Sequence, residues 1–339
     1  MNNLGIVVIG RNEGDRLRRC LLSIVERSNS IVYVDSGSSD NSIAMARSLG
    51  VRVVELDLAI PFTAARARNE GFAMLLKIDP QIELVQFVDG DCEIVPGWLE
   101  EAERVISQRL DLAVVCGRRR ERFPEQSVYN LLCDIEWNTP VGEVKACGGD
   151  AMMRVEAFGQ VKGFNSSLIA GEESELCLRL RREGWIIMRL DLEMTLHDAQ
   201  ITRFSQWWQR SLRSGHAYAE GAWLHGNSPE RHRIKEIKSI LLWGLIVPLI
   251  TLLTLLPSHG WSLTLLLGYP VITYKIYRYY QKRGFKSQEA LLYAVNCLTI
   301  KFPQAQGLIQ FYTNKLLGKQ KTIIEYKSSE VEVASGDRL

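Results

Sequence analysis

The feature that most restricts this chain is an alternation in its first third. Five short apolar runs, residues 5–9, 31–34, 51–56, 84–88 and 112–116, are separated by stretches with helical spacing at 14–26, 41–49, 63–77 and 98–108. Runs this short and this rich in Val and Ile suit strands. Strand, helix, strand at such spacing implies βαβ units and therefore a parallel sheet covered by helices on both faces. The expected class is α/β. In such sheets ligands collect beyond the carboxyl ends of the strands, so polar residues at those ends carry the argument.

Gly10-Arg11-Asn12-Glu13 follows the first run. Asp35-Ser36-Gly37-Ser38-Ser39-Asp40-Asn41-Ser42 follows the second, where small and acidic residues cap the next helix and leave room for a nucleoside. Capping explains Asp40 and Asn41 equally well, but Asp35 stands at the strand end before the cap. Between Thr63 and Gly71, Arg66 and Asn69 lie three apart on one helix face. A cation there can meet a diphosphate, although a solvated arginine is the commoner case. The fourth run ends on Asp89-Gly90-Asp91. Two carboxylates at i, i+2 can turn toward one hard cation, and Mg²⁺ typically takes one or two carboxylates plus substrate phosphate oxygens. Asp-Gly-Asp is also ordinary turn chemistry, so the neighbouring segments decide.

Together, Val7-Val8-Ile9-Gly10-Arg11-Asn12-Glu13, the Asp35–Asp40 cluster, the Arg66–Asn69 segment and Asp89-Gly90-Asp91 resemble the nucleotide-sugar half of a family 2 glycosyltransferase with the GT-A fold. Gly148-Gly149-Asp150 onward, the Gly163-Phe164-Asn165 turn and Gly171-Glu172-Glu173-Ser174-Glu175 resemble its acceptor half, where paired acids open a helix after a Gly-Phe turn. The family's second acid is usually Asp. Here it is Glu173, one methylene longer, so either Glu172 or Glu173 can face the acceptor. The bland reading, acids complementing a helix dipole, covers Glu175.

The resemblance spans roughly residues 4–200 and implies a Rossmann-like nucleotide-sugar-binding sheet flanked by helices, working as a metal-dependent, inverting transferase. By that likeness Arg11, Glu13, Asp35, Arg66, Asn69 and Asp89 bind the donor, with Asp35 at the base and Asp89 at the ribose or a metal-bound water. Asp91 and His197 hold the divalent ion; Asp150 and Glu172 stand on the acceptor side. Glu173 is the general base for an acceptor hydroxyl that attacks the anomeric carbon in one displacement. An ordinary Glu, with a pKa near ~4.3, is ionised at pH 7 and would need no tuning. The ion is Mn²⁺ or Mg²⁺, and an imidazole ligand favours Mn²⁺. The implied donor is a nucleotide-diphosphate sugar, UDP-linked ahead of GDP-linked, and the acceptor a glycan or lipid-linked hydroxyl. Two rivals remain. A polyprenyl-phosphate glycosyl synthase would use an already ionised phosphate and need no base; a membrane-tethered nucleotide-sugar binding protein would not turn over.

Lys+Arg 41 against Asp+Glu 39 leaves a net charge of +2, so nothing global points to nucleic acid. Seven scattered cysteines without a C-x-x-C pair read as reduced thiols of a cytoplasmic chain. No basic, apolar leader opens the sequence, and the catalytic part is expected in the cytoplasm. The run Arg118-Arg119-Arg120-Glu121-Arg122 reads as a solvated face ahead of a contact for an anionic acceptor.

From Ile240 the chain turns apolar. Residues 240–256 are uncharged and interrupted by Pro248, and 261–274 are broken by Pro270. Arg231, Arg233, Lys235 and Lys238 precede the pair, and Lys275, Arg278, Lys282 and Arg283 follow it, while the link 257–260 carries no Lys or Arg. That asymmetry puts both flanks on the cytoplasmic side of a cell membrane and the hairpin in the bilayer. The alternative is a buried soluble hairpin. The expected division is a catalytic domain at 1–200 (nucleotide half 1–117, acceptor half 118–200), an amphipathic interface helix and linker at 201–238, and the membrane hairpin at 239–283. An amphipathic helical region with Pro303 inside a helix at 291–311 occupies 284–326, and a disordered tail 327–339.

Overall fold

The computed structural model describes residues 3–319. The chain forms two compact units: residues up to 123 together with 136–199, and residues 124–135 together with 200 onward. It begins β1 (Leu4–Gly10), α1 (Asp15–Leu22), β2 (Ser30–Asp35), α2 (Ser42–Ser48), β3 (Arg52–Glu55), α3 (Ala64–Ile78), β4 (Leu84–Asp89), β5 (Cys92–Ile94), α4 (Trp98–Gln108) and β6 (Leu112–Glu121). It continues through α5 (Val128–Trp137), β7 (Gly142–Glu143), β8 (Ala151–Arg154), α6 (Val155–Gln160), α7 (Glu172–Arg182) and β9 (Ile186–His197).

Among the described residues these strands make one nine-stranded sheet in the order β3-β2-β1-β4-β8-β6-β9-β5, with β7 paired to β9. β3, β2, β1 and β4 are parallel, and their register sets Gly10 beside Asp35 and Ile9 beside Asp89. The polar strand ends therefore line one edge. The parallel sheet expected over the first third stops at β4, because β8 enters antiparallel between β4 and β6. Ala151, Met152 and Met153 are buried, which demands a central strand. A run so short carries no periodicity to announce that place or its direction. β9 is long and unevenly buried. Asp191, Leu192 and Glu193 are exposed, and pairing to β5 and β6 then carries the strand on to His197.

Beneath this edge lies an aromatic floor. The ring of Phe158 sits 5.3 Å from both Phe87 and Phe164, a spacing at which aromatic pairs attract.

The second unit holds α8 (Phe204–His225), α9 (Ile234–Leu241) and α10 (Val247–Leu253), followed by α11 (Gly268–Lys282), α12 (Ser287–Thr299) and α13 (Lys301–Leu316). A π-helical turn at Leu242–Ile246 joins α9 to α10, so Pro248, which lacks a donor, is absorbed without breaking the rod. Ile234–Leu253 is long and apolar enough to cross a membrane, with a mean hydropathy of 1.8 over its best window. A 3-10 stretch, Trp261–Leu267, precedes α11. The single helix expected around Pro303 is two helices meeting at Ile300, and Pro303 falls in the first turn of α13, where its missing N–H is harmless. In α8, Trp207 and Trp208 do not simply face outward. Their indole N–H groups donate to Asn296 of α12 at 3.0 Å and to Gln306 of α13 at 2.9 Å. Ala219, Ile240, Ala305, Leu308 and Phe311 form this unit's small core. The expected tail at 327–339 lies outside the described residues.

Candidate active site

One guanidinium organises the carboxylates. Arg68, on α3 and 2% exposed, places Nη2 2.7 Å from Asp89 Oδ1 and Nη1 2.8 Å from Glu172 Oε1, with Glu173 Oε1 at 3.5 Å. It also lies over the Phe164 ring at 5.4 Å. The end of β4 and the start of α7 are thus joined through a single side chain. Arg119 supplies a second cation, 3.1 Å from Asp89 Oδ2 and 2.8 Å from Asp150 Oδ2. Burial would raise the Asp89 pKa, but Arg68 and Arg119 outweigh it and hold the carboxyl well below its usual range. Asp150 is fully buried and accepts from the Asp89 N–H at 2.9 Å and the Thr195 hydroxyl at 2.7 Å. It fixes the strand end. Gly149 makes this approach feasible, since a Cβ there would lie 2.5 Å from Arg68 Nη2 and 2.7 Å from Asp89 Oδ2.

The two α7 acids differ. Glu172 is buried and committed to Arg68, whereas Glu173 keeps 20% of its side chain exposed and stands further from that cation. Burial and the neighbouring Glu172 charge push the Glu173 pKa up to about 7, against the pull of Arg68. The expectation that it is fully ionised at pH 7 without tuning is therefore corrected. Glu175 pairs with Arg179 at 2.7 Å and takes no part.

Asp91 turns the other way. Its Oδ2 lies 3.1 Å from His197 Nε2, and Glu121 Oε2 stands 3.6 Å from the far nitrogen, Nδ1. Trp137 meets the imidazole edge-on at 4.8 Å. A carboxylate behind the distal nitrogen is the usual way a metal-binding imidazole is oriented. Asp91, Cys92 and His197 bring ligand atoms within 4.8 Å of one another, and Asp89, Cys92 and Asp150 form a second such group. Burial raises the Cys92 thiol well above its ordinary value. A hard divalent ion prefers oxygen and imidazole donors to a thiol, so Asp91 and His197 are the fitting pair.

Other expected donor residues are engaged elsewhere. Asp35 accepts from Tyr33 Oη at 2.7 Å, from the Gly37 and Ser38 N–H groups at 2.9 and 2.7 Å, and from Ser38 Oγ at 2.5 Å, so it builds its own loop. Arg66 donates to the carbonyls of Asp57 and Ile60 at 2.9 and 2.8 Å. Asn69 binds the Phe164 carbonyl at 2.8 Å and accepts from its N–H at 2.9 Å, pinning the Gly163-Phe164 turn. Glu13 pairs with Arg16 at 2.8 Å, and Arg11 lies 4.9 Å over the Phe62 ring.

Three residues of the site escaped the sequence reading: Arg68, Arg119 and Glu121. Arg68 had a signal, because it shares the buried stripe of α3 with Gly71 and Leu75 at +3 and +7. Arg119 does not belong to a solvated face; its side chain is 16% exposed and lies between two carboxylates.

A mixed sheet flanked by helices, with acids at the ends of β2 and β4, matches the GT-A fold. Residues 5–159, just under half of the chain, match the model of Glycosyl transferase family 2. A TPR repeat-containing protein of Synechococcus elongatus is 31% identical over 90 residues, 25% of this chain. The chain spans only 22% of that relative's length. Among solved structures, a mannosyltransferase of Pyrobaculum calidifontis in complex with GDP-Man and Mn²⁺ superposes with a TM-score of 0.56 at 15% identity, covering 94% of this chain and 88% of its own. Glucosyl-3-phosphoglycerate synthase of Mycobacterium tuberculosis in complex with phosphoglyceric acid gives a TM-score of 0.48 at 17% identity, over 64% of this chain and 78% of its own. At 15% identity the Pyrobaculum likeness is one of fold.

Proposed function

We propose that this chain is a metal-dependent, inverting glycosyltransferase, moving a sugar from a nucleotide-diphosphate donor to a hydroxyl of a glycan or lipid-linked acceptor at the cytoplasmic face of a membrane. The observation that carries this reading is the Arg68 bridge, which holds the strand-end acid Asp89 and the half-titrated acid Glu173 to one guanidinium. A base poised near neutrality beside a donor-binding strand end suits deprotonation of an acceptor hydroxyl. Asp91 and His197 would hold Mn²⁺ or Mg²⁺. When bound, such an ion offsets charge on the leaving nucleotide diphosphate. Glu121 stands 3.6 Å behind the imidazole, and Asp150 with Arg119 fixes Asp89. The Pyrobaculum relative, solved with GDP-Man and Mn²⁺, supports this donor and ion class.

The membrane part of the reading rests on apolar side chains that the second unit leaves uncovered, among them Leu252, Leu253, Leu256, Trp261 and Leu267. The same surface favours a lipid-linked acceptor and keeps the polyprenyl-phosphate rival in play. Purified protein incubated with UDP- and GDP-sugars and Mn²⁺ should release nucleotide diphosphate from one donor, faster with its acceptor. Release from no donor with any acceptor would leave a binding protein instead.

A further inference from the structure

A thiol pair stands beside the site and has no part in the chemistry above. Cys147 Sγ and Cys177 Sγ are 3.6 Å apart. Cys147 lies in the irregular segment leading to Asp150, three residues before it, and is half-buried; Cys177 is buried on α7, one turn after Glu173. The two segments are already docked, since Arg181 of α7 donates to the Lys145 carbonyl. We propose that Cys147 and Cys177 are a disulfide-forming pair, a modification site that ties the segment carrying Asp150 to the helix carrying Glu173.

Bridging requires the sulfurs to close by about 1.5 Å, to the ~2.05 Å of a disulfide. An irregular segment can follow that movement more readily than a buried helix. The hydrogen bond from Cys147 holds the Cys177 thiol below its ordinary value despite burial, and the same bond, followed by burial, raises Cys147. The hydrogen bond gives a proton a path between the two sulfurs, and a thiolate is the attacking species in exchange. Cys116, the nearby alternative, is buried and pushed up to about 12 by that burial. It does not compete.

The oxidant is a low-molecular-weight disulfide of the glutathione class. The more accessible Cys147 sulfur, its proton passed to the hydrogen-bonded Cys177 sulfur, attacks it, forming a mixed disulfide and releasing one small thiolate. The Cys177 thiolate then attacks the Cys147 sulfur and displaces the second. Two protein thiols are oxidised, one small disulfide is reduced to two thiols, and the two thiol protons leave with them. The bond itself is independent of the transferase reading, whereas its effect on turnover rests on that reading.

The full chain is incubated with oxidised glutathione, digested without reduction and mapped by mass spectrometry, with a dithiothreitol-treated sample alongside. The expected result is a covalent link between the peptides holding Cys147 and Cys177, reversed by dithiothreitol and absent in Cys147→Ser. Two free thiols, or only a glutathione adduct on Cys147, would overturn the proposal, whatever the protein's activity proves to be. In the same samples, nucleotide diphosphate release should fall about 10- to 100-fold on oxidation, as a shift near 1 Å beside a reacting centre can produce, and Cys147→Ser should be insensitive. A formed link with unchanged release removes the tethering consequence.

Discussion

At the scale of single residues, Asp91 and Glu173 ask for different experiments because they face different partners. Asp91→Asn leaves a neutral group opposite His197 and should lower Mn²⁺-dependent release on the order of 100-fold, with the circular dichroism spectrum intact; full retained activity would remove Asp91 from the metal role. Glu173→Gln should reduce transfer to a hydroxyl acceptor by at least ~100-fold. If activity survives, a phosphate nucleophile that needs no base becomes the better reading. With its pKa pushed up to about 7, Glu173 is mostly protonated in mild acid, so transfer should rise with pH through about 7 and then level. A profile flat from mildly acid to mildly alkaline pH would deny it the role of base. The stability sign is opposite. The folded state holds a proton that the unfolded chain gives up near the ordinary value of 4.5, so stability falls between that value and about 7, and Glu173→Gln should flatten the fall in denaturant midpoint. Positions were legible where a strand end fixes them, as for Asp89 at the end of β4 and His197 at the end of β9, 3.1 Å from Asp91. Arg66 illustrates the limit: Arg66 and Arg68 are indistinguishable in composition, and only the buried stripe of α3 separates the cation that reaches carboxylates from the one that clips a loop.

At the scale of elements, strands buried on both faces announced themselves as apolar runs, and β1, β2 and β4 fell within a residue or so of expectation. β5 and β8 did not, for a physical reason. Three- and four-residue strands acquire their identity from neighbours, β5 from His197 of β9 and β8 from the gap between β4 and β6. The α8–α13 crossing was likewise invisible, since it depends on what the helices lack. A Cβ on Gly215 would lie 2.1 Å from the Gln304 carbonyl oxygen, and one on Gly307 2.0 Å from that of Leu212. The two backbones touch. Gly307→Val should therefore force them apart and destabilise the protein by about 1–3 kcal/mol, read as a fall in denaturant midpoint. Gly159→Ala, on α6 with nothing within 4 Å of its added Cβ, serves as the neutral control. Equal midpoints for the two variants would show that the crossing is looser than these distances.

At the scale of the whole molecule, the first unit follows from its sheet, while the second leaves apolar surface uncovered among the described residues. Leu252 is 69% exposed, Leu253 66%, Leu256 85% and Trp261 76%. A soluble hairpin would bury such a patch, and contiguous exposed apolar surface marks an interface with lipid or protein. Past Lys238 the helix runs uncharged to Leu253, roughly 22 Å at ~1.5 Å per residue, so it enters deep into a bilayer core of about 30 Å. Arg231, Lys235 and Lys238 at its start, and Lys275, Arg278 and Lys282 after the return, put cations where anionic headgroups would lie. On the proposed membrane reading, this surface meets lipid. Full-length protein should co-sediment with vesicles containing anionic phospholipid, and replacing Leu252, Leu253 and Leu256 together by Ser should weaken partitioning by at least ~10-fold, given that each buried Leu contributes about 1.5–3 kcal/mol. A second copy of the chain is the competing cover. Were that the case, the protein would form dimers in the absence of vesicles, the triple variant would be monomeric, and neither would bind lipid.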